Sequence, residues 1–137
     1  MNFVLDASVT LAWAFEDEGG EYADAVLKSL RDGEAITTSL WPLEISNGLL
    51  VAERGGRIDA ASSARFARLL LALPVVIEPL DRRRVFEITQ PLARRYGLSA
   101  YDAHYLELSV RWAVPLATLD RELESAAASE GVRRFGV

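Results

Sequence analysis

The segment FVLDASVTLAWAF, Phe3 to Phe15, decides the fold. Asn2 to Leu5 is a short apolar run of the kind a parallel sheet buries on both faces, and SVTLAWAF after it reads as a helix. Asp6 stands between the two. A carboxylate there lies where a parallel strand ends, which is where open α/β sheets bind their ligands.

Working outward, three more apolar runs read as buried strands: Ala35 to Thr37, Val75 to Glu78 and Pro115 to Thr118. Arg133 to Phe135 is a weaker fifth. Between them the apolar residues recur at helical spacing, as at Tyr22, Ala25, Val26 and Leu30, with Gly33 placed as a C-cap. Pro42 suits a first helical turn, Gly55 and Gly56 a stop, Asp59 an N-cap, and Gly97 with Ser99 a stop followed by a start. Pro91 is expected to kink or interrupt the segment from Asp81 to Tyr96. Strands alternating with helices predict a parallel sheet in an α/β fold. The 137 residues suit one domain, 1–137, and there is no repeat or linker to divide them.

Composition narrows the chemistry. With 50% hydrophobic and 26% charged residues the chain is expected to be a compact globule. No apolar run approaches the ~20 residues of a membrane span. The opening MNFVLDAS lacks the basic start and apolar stretch of a signal peptide, so a cytoplasmic protein is the expectation. There is no cysteine and a single histidine, His104, so a metal would have to be held by oxygen. The net charge of -5 argues against a nucleic-acid partner at first sight, but its distribution is uneven. Residues 1–53 carry 10 acidic and 2 basic side chains, and residues 54–137 carry 10 acidic and 13 basic. RNA could meet Arg54, Arg57, Arg65, Arg68, Arg82, Arg83, Arg84, Arg94 and Arg95 if the fold gathers them; otherwise they are solvated helix faces.

Four carboxylates sit oddly in this pattern. Asp120 repeats the placement of Asp6, closing PLATL and opening RELESAAA; each could also be a helix N-cap. Glu44 lies in the otherwise small or apolar WPLEISNGLL, with Asn47 and Gly48 on its helical face leaving space around it; the alternative is a Glu bonded to Asn47 or to a backbone amide. Asp102 shares a helical face with Leu98, Tyr105 and Leu106, where an unpaired charge is costly unless it is partnered or binds a metal. If all four meet in one cleft, like charges raise each other's pKa or demand a cation. Mg²⁺, or Mn²⁺ in its place, is the hard ion such oxygens prefer, and it can activate water at a phosphodiester. Ser8 and Thr118 are placed to orient water or phosphate, or to serve as capping and strand-end hydroxyls.

At this point the residues resemble the PIN domain and, within it, the VapC-like toxins of toxin–antitoxin pairs. FVLDASVTLAWAF looks like the family's first strand and Asp, WPLEISNGLL like its Glu-bearing helix with the companion Asn, YGLSAYDAHYLELS like the third-acid helix, and LATLDREL like the strand end with the fourth. The resemblance spans nearly the whole chain. It implies a three-layer α/β/α sandwich around a mainly parallel sheet, and catalytic or metal-binding roles for Asp6, Glu44, Asp102 and Asp120. Thr118 and Asn47 become supporting neighbours. It further implies endoribonuclease activity, a homodimer, and a cognate VapB-like antitoxin that blocks the site with an extended or helical segment.

Rival readings fit less well. A phosphoacceptor domain needs paired acids after its first strand and a nearby lysine, but the only lysine is Lys28, within a helix. An aspartyl phosphatase needs DxD where this chain has Asp6-Ala7-Ser8. A catalytically idle PIN-like module that binds RNA or protein would have no need of a negative cleft. Trp13, Phe15 and Trp41 sit at helical positions that suit core or dimer contacts, and core is the expectation.

Overall fold

The computed structural model describes residues 2–136, those of 16–19 as backbone only. Four strands, β1 (Phe3–Leu5), β2 (Ala35–Thr38), β3 (Val75–Glu78) and β4 (Leu116–Ala117), form one wholly parallel sheet in the order β3-β2-β1-β4. Every residue of β1 and β2 is buried, as an inner parallel strand must be when helices cover both faces. The expected α/β/α sandwich is therefore present.

Two strand expectations need correction. Val75 to Glu78 is not a buried strand but the sheet edge, with Val76 46% and Ile77 43% exposed. An apolar run signals a strand without saying whether another strand lies beyond it. The fifth segment is reduced to one bridge between Leu116 and Arg134. Phe135 donates its N–H to the Leu116 carbonyl, and its ring stacks on Phe3 with centroids 4.0 Å apart.

The helices are α1 (Ala7–Ala14), α2 (Glu16–Ser29), α3 (Trp41–Arg54), α4 (Ala60–Leu71), α5 (Arg82–Arg84), α6 (Gln90–Tyr96), α7 (Ala100–Trp112) and α8 (Arg121–Ser129). A π-helical turn, Val85–Thr89, joins α5 to α6. Pro91 cannot donate back to the preceding turn, and the chain absorbs the loss by widening into this π turn while Thr89 and Gln90 keep helical dihedrals. Asp59 and Ser99 cap α4 and α7 with their side chains, and Gly97 ends α6 in the left-handed conformation, all as their positions predict. Gly33 is not a left-handed cap: α2 closes at Leu30, which retains helical dihedrals. Gly48 does more than leave space on the Glu44 face of α3. A Cβ there would meet the Leu11 methyls at 2.8 Å, so the glycine lets α3 close onto α1.

Helix α7 organises the core. All seven residues from Ala103 to Ser109 are buried, and the helix packs against β1, β2 and β4. Its one buried charge, Glu107, is neutralised by Arg84 (2.6 Å) and by Arg111 one turn on (3.0 Å). The aromatics behave as core: Trp41 donates to Thr10 Oγ1, half-buried Trp13 donates to the Ala23 carbonyl, and Phe15 lies beneath the Arg57 guanidinium. Among the described residues no helix is long and apolar enough to cross a membrane.

Leu106, fully buried where α7 meets the sheet, and Leu71, 87% exposed, give a contrast. Leu106→Ala is expected to lower unfolding free energy in urea by about 2–5 kcal/mol, and Leu71→Ala to change it by no more than about 0.5 kcal/mol.

Candidate active site

The strand order fixes where a site can form. From β1 the chain steps outward through β2 to β3 and then returns to lay β4 on the other side of β1. The carboxyl ends of β1 and β4 flank the point where the direction of winding reverses, the customary position of a ligand crevice in open α/β sheets. Asp6 directly follows β1, and Asp120 follows β4 after Thr118 and Leu119. Glu44 and Asp102 occupy the first turns of α3 and α7. A cleft of about 360 Å³ is lined by Asp6, Ser8, Glu44, Asn47, Asp102 and Asp120, together with Ala7, Leu11 and Gly48. All four acids singled out in the sequence thus share one cavity. Thr118 lies beneath it, buried against Asp6.

Asp6 is 3% exposed, yet its side chain does not cap α1. Instead its Oδ2 accepts from Ser8 Oγ (2.6 Å) and from Thr118 Oγ1 (2.8 Å). Each hydroxyl is itself fixed by a backbone amide, Leu119 N–H to Ser8 and Asp120 N–H to Thr118. With an amide proton entering each oxygen, the hydroxyl protons are aimed at the carboxylate. Ser8 and Thr118 are therefore donors to Asp6 rather than capping groups. Burial raises the Asp6 pKa and Asp120 adds to the rise, while the two hydroxyls oppose it.

Asp120 serves as an N-cap after all: its Oδ1 accepts from the amides of Glu122 (2.9 Å) and Leu123 (3.1 Å) at the start of α8. Capping holds the carboxylate at the cleft without hiding it. Asp102 gives its backbone N–H to Ser99 Oγ, and its carboxyl is pushed up to about 6, by burial first and then by Asp6, Asp120 and Glu122. Glu44 rises to about 7, by burial and then by Asp6 and Asp102. Its Oε1 is buried without a hydrogen-bond partner, so neither Asn47 nor an amide satisfies it, and Asn47 sits exposed at the rim.

The donor set suits a hard divalent cation: four carboxylates from four separate elements, two of them raised by burial and then by acidic neighbours, and one buried oxygen left unpaired. Among the described residues no three acidic or histidine side chains stand close enough to enclose an ion unaided. His104 is not at the cleft; it is buried beside Thr89, Nδ1 to Oγ1 3.3 Å. Several of the arginines considered for an RNA-facing surface are committed elsewhere, Arg83 to Glu87, Arg84 to Glu107 and Arg95 to Glu130. Two neighbours of the acids were not singled out in the sequence for the site. Glu122 adds to the field on Asp102, and Tyr105 lies fully buried beside Glu44. Tyr105 reads as a core aromatic at helical spacing, and nothing in the sequence separates it from Leu106.

Comparisons with known proteins agree with this geometry. The PIN domain family model matches residues 3–129. A curated relative, Ribonuclease VapC3 of Pyrobaculum aerophilum, is 27% identical over 123 residues, 90% of this chain and 92% of that protein. Among solved structures, PAE2754 from Pyrobaculum aerophilum superposes with a TM-score of 0.67 at 26% identity, over 92% of this chain and 87% of that one. The sarcin–ricin-loop-cleaving toxin VapC20 of Mycobacterium tuberculosis gives 0.65 at 15% identity, over 92% and 95% of the two chains. FitAcB from Neisseria gonorrhoeae gives 0.66 at 17%, over 99% and 97%. The last two show the shared fold.

The raised carboxyls have a consequence for stability. Between the ordinary 4.5 and about 7 for Glu44, and between 3.8 and about 6 for Asp102, the folded chain holds more protons than the unfolded one. These groups therefore stabilise the fold at low pH, and that contribution is lost as pH rises through their folded values. In EDTA, Glu44→Gln is expected to raise the urea midpoint at pH 8, with the gain shrinking at pH 5. Equal midpoints for variant and wild type at pH 8 would show that Glu44 is not under repulsion.

Proposed function

The chain belongs to the PIN domain family, and from that premise we propose that it is a metal-dependent endoribonuclease of the VapC-like kind, held in check by a cognate antitoxin. The observation that carries this reading is the convergence of Asp6, Glu44, Asp102 and Asp120 on one cleft at the carboxyl edge of the sheet. The relative named a ribonuclease, similar along nine-tenths of both chains, supports the choice of RNA. Homodimerisation belongs to the same proposal and rests on the family resemblance.

Asp6, Asp102 and Asp120, with Glu44 directly or through water, are the residues that would hold Mg²⁺ or Mn²⁺. When bound, such an ion supplies a water of lowered pKa and stabilises charge on the attacking and leaving oxygens of an RNA phosphodiester. The chain's own residues prepare for this. Ser8 and Thr118 both donate to Oδ2 of Asp6 and hold the carboxylate in one orientation. The α8 amides fix Asp120 in the same way through Oδ1. Burial, with Asp6 and Asp102 beside it, raises the Glu44 carboxyl to about 7, so a cation held there would compete with a proton. Asn47, exposed at the rim, would meet the RNA backbone in this reading.

Purified protein incubated with total RNA and Mg²⁺ or Mn²⁺ is expected to give discrete fragments, and EDTA to abolish them. Asp102→Asn removes one charge without changing shape, and cleavage is expected to fall by at least about a hundredfold with the fold retained. Full activity of that variant would overturn the four-carboxylate scheme. A folded protein that binds Mn²⁺ and cuts no RNA would favour the idle binding module instead.

A further inference from the structure

The cleft has one feature that the four acids do not explain. Tyr105 is 0% exposed and its hydroxyl has no hydrogen-bond partner among the described residues; the same is true of the buried Oε1 of Glu44. The two groups are neighbours, one on α7 and the other on α3: no hydrogen bond between them meets strict geometry, yet the phenol is near enough to act as a donor that opposes the rise of the Glu44 pKa. Native structures rarely keep a buried hydroxyl and a buried carboxylate oxygen unpaired side by side, and each such case asks for a reason.

The elements supply one. Tyr105 follows Asp102 by three residues on α7, so the two side chains share a helix face and move as one body. No lysine or arginine lines the cleft, and Ser8 and Thr118 are both spent on Asp6. The phenol is thus the donor available to Glu44 from beneath. Its other polar surroundings are the Thr38 hydroxyl, whose Oγ1 already accepts from Leu40 N–H, and the Ala7 backbone.

We propose that Tyr105 is the positioning residue of Glu44: its hydroxyl donates to the Glu44 carboxylate when that carboxylate turns to a divalent cation in the cleft, so that one face of α7 both contributes Asp102 and orients the acid of α3. The proposal rests on the metal-dependent reading above. Groups that hold a ligating side chain in this indirect way are typically worth about 10- to 100-fold in metal affinity.

Tyr105→Phe removes the one oxygen and keeps the ring. Mn²⁺ titrations, followed by calorimetry at fixed pH, would compare wild type, Tyr105→Phe, Glu44→Gln and the double variant, each also melted without metal. The expected result is about tenfold weaker Mn²⁺ binding by Tyr105→Phe, with metal-free melting equal to or above wild type. The double variant is expected to bind no more weakly than Glu44→Gln alone, because the phenol acts only through that acid. Wild-type affinity in Tyr105→Phe, or a loss that adds in full to that of Glu44→Gln, would overturn the positioning role while leaving the metal site standing. Failure of wild type itself to bind Mn²⁺ would overturn both readings together.

Discussion

Asp6 is a carboxylate buried at the end of the innermost strand with three others facing the same cleft, and the rest of the structure follows from tolerating it. Burying such a charge beside like charges is unfavourable unless donors or a cation compensate. Two hydroxyls do part of this work, each oriented by a backbone amide from the β4–α8 connection. That connection can reach Asp6 only because β4 pairs beside β1 rather than extending the sheet at β3. Strand order, hydroxyl placement and the state of the central acid are therefore one arrangement. Glu44 and Asp102 are raised to about 7 and about 6, by burial first and then by the acids around them.

The scaffold that withstands this repulsion is helix α7. Its buried stretch from Ala103 to Ser109 packs against three of the four strands, and its first turn holds Asp102 at the cleft. The charge it must bury, Glu107, is neutralised well away from the cleft by Arg84 and Arg111, so the core contains a paired ion rather than a free one. Positive charge is thereby used to hold the fold together at one end of the helix, and negative charge is left uncompensated at the other. The same helix makes a rigid link between Asp102 and the core.

Much of this was legible in the sequence because it depends on local rules. FVL followed by Asp6, and PLATL ending in Asp120, announce two strands that deliver acids to the same edge of a parallel sheet. Asp102 was conspicuous because a charge shared a stripe with Tyr105 and Leu106. What was not legible depends on pairing between distant elements. VVIE looks the same whether it is central or an edge, so the exposure of Val76 and Ile77 had no signal. Ser8 and Thr118 lie 110 residues apart, and only the β1–β4 pairing brings both onto Oδ2 of Asp6. Gly48 read as room beside Glu44, and it lines that cleft, but its second use, the close approach of Leu11, requires knowing which helix lies opposite. Tyr105 was hidden for the reason that makes it a good core residue: its ring satisfies the apolar pattern, and only the structure shows where its hydroxyl lies.

The central claim is that the four carboxylates are held apart from neutralising partners in order to share a divalent cation. The most direct measurement is the affinity of the purified protein for Mn²⁺ beside that of Asp6→Asn, which removes the innermost charge and leaves a side chain that Ser8 and Thr118 can still bond. The account expects saturable binding by wild type and at least about a tenfold loss in the variant, with cooperative melting retained. Equal affinities in the two proteins would contradict it.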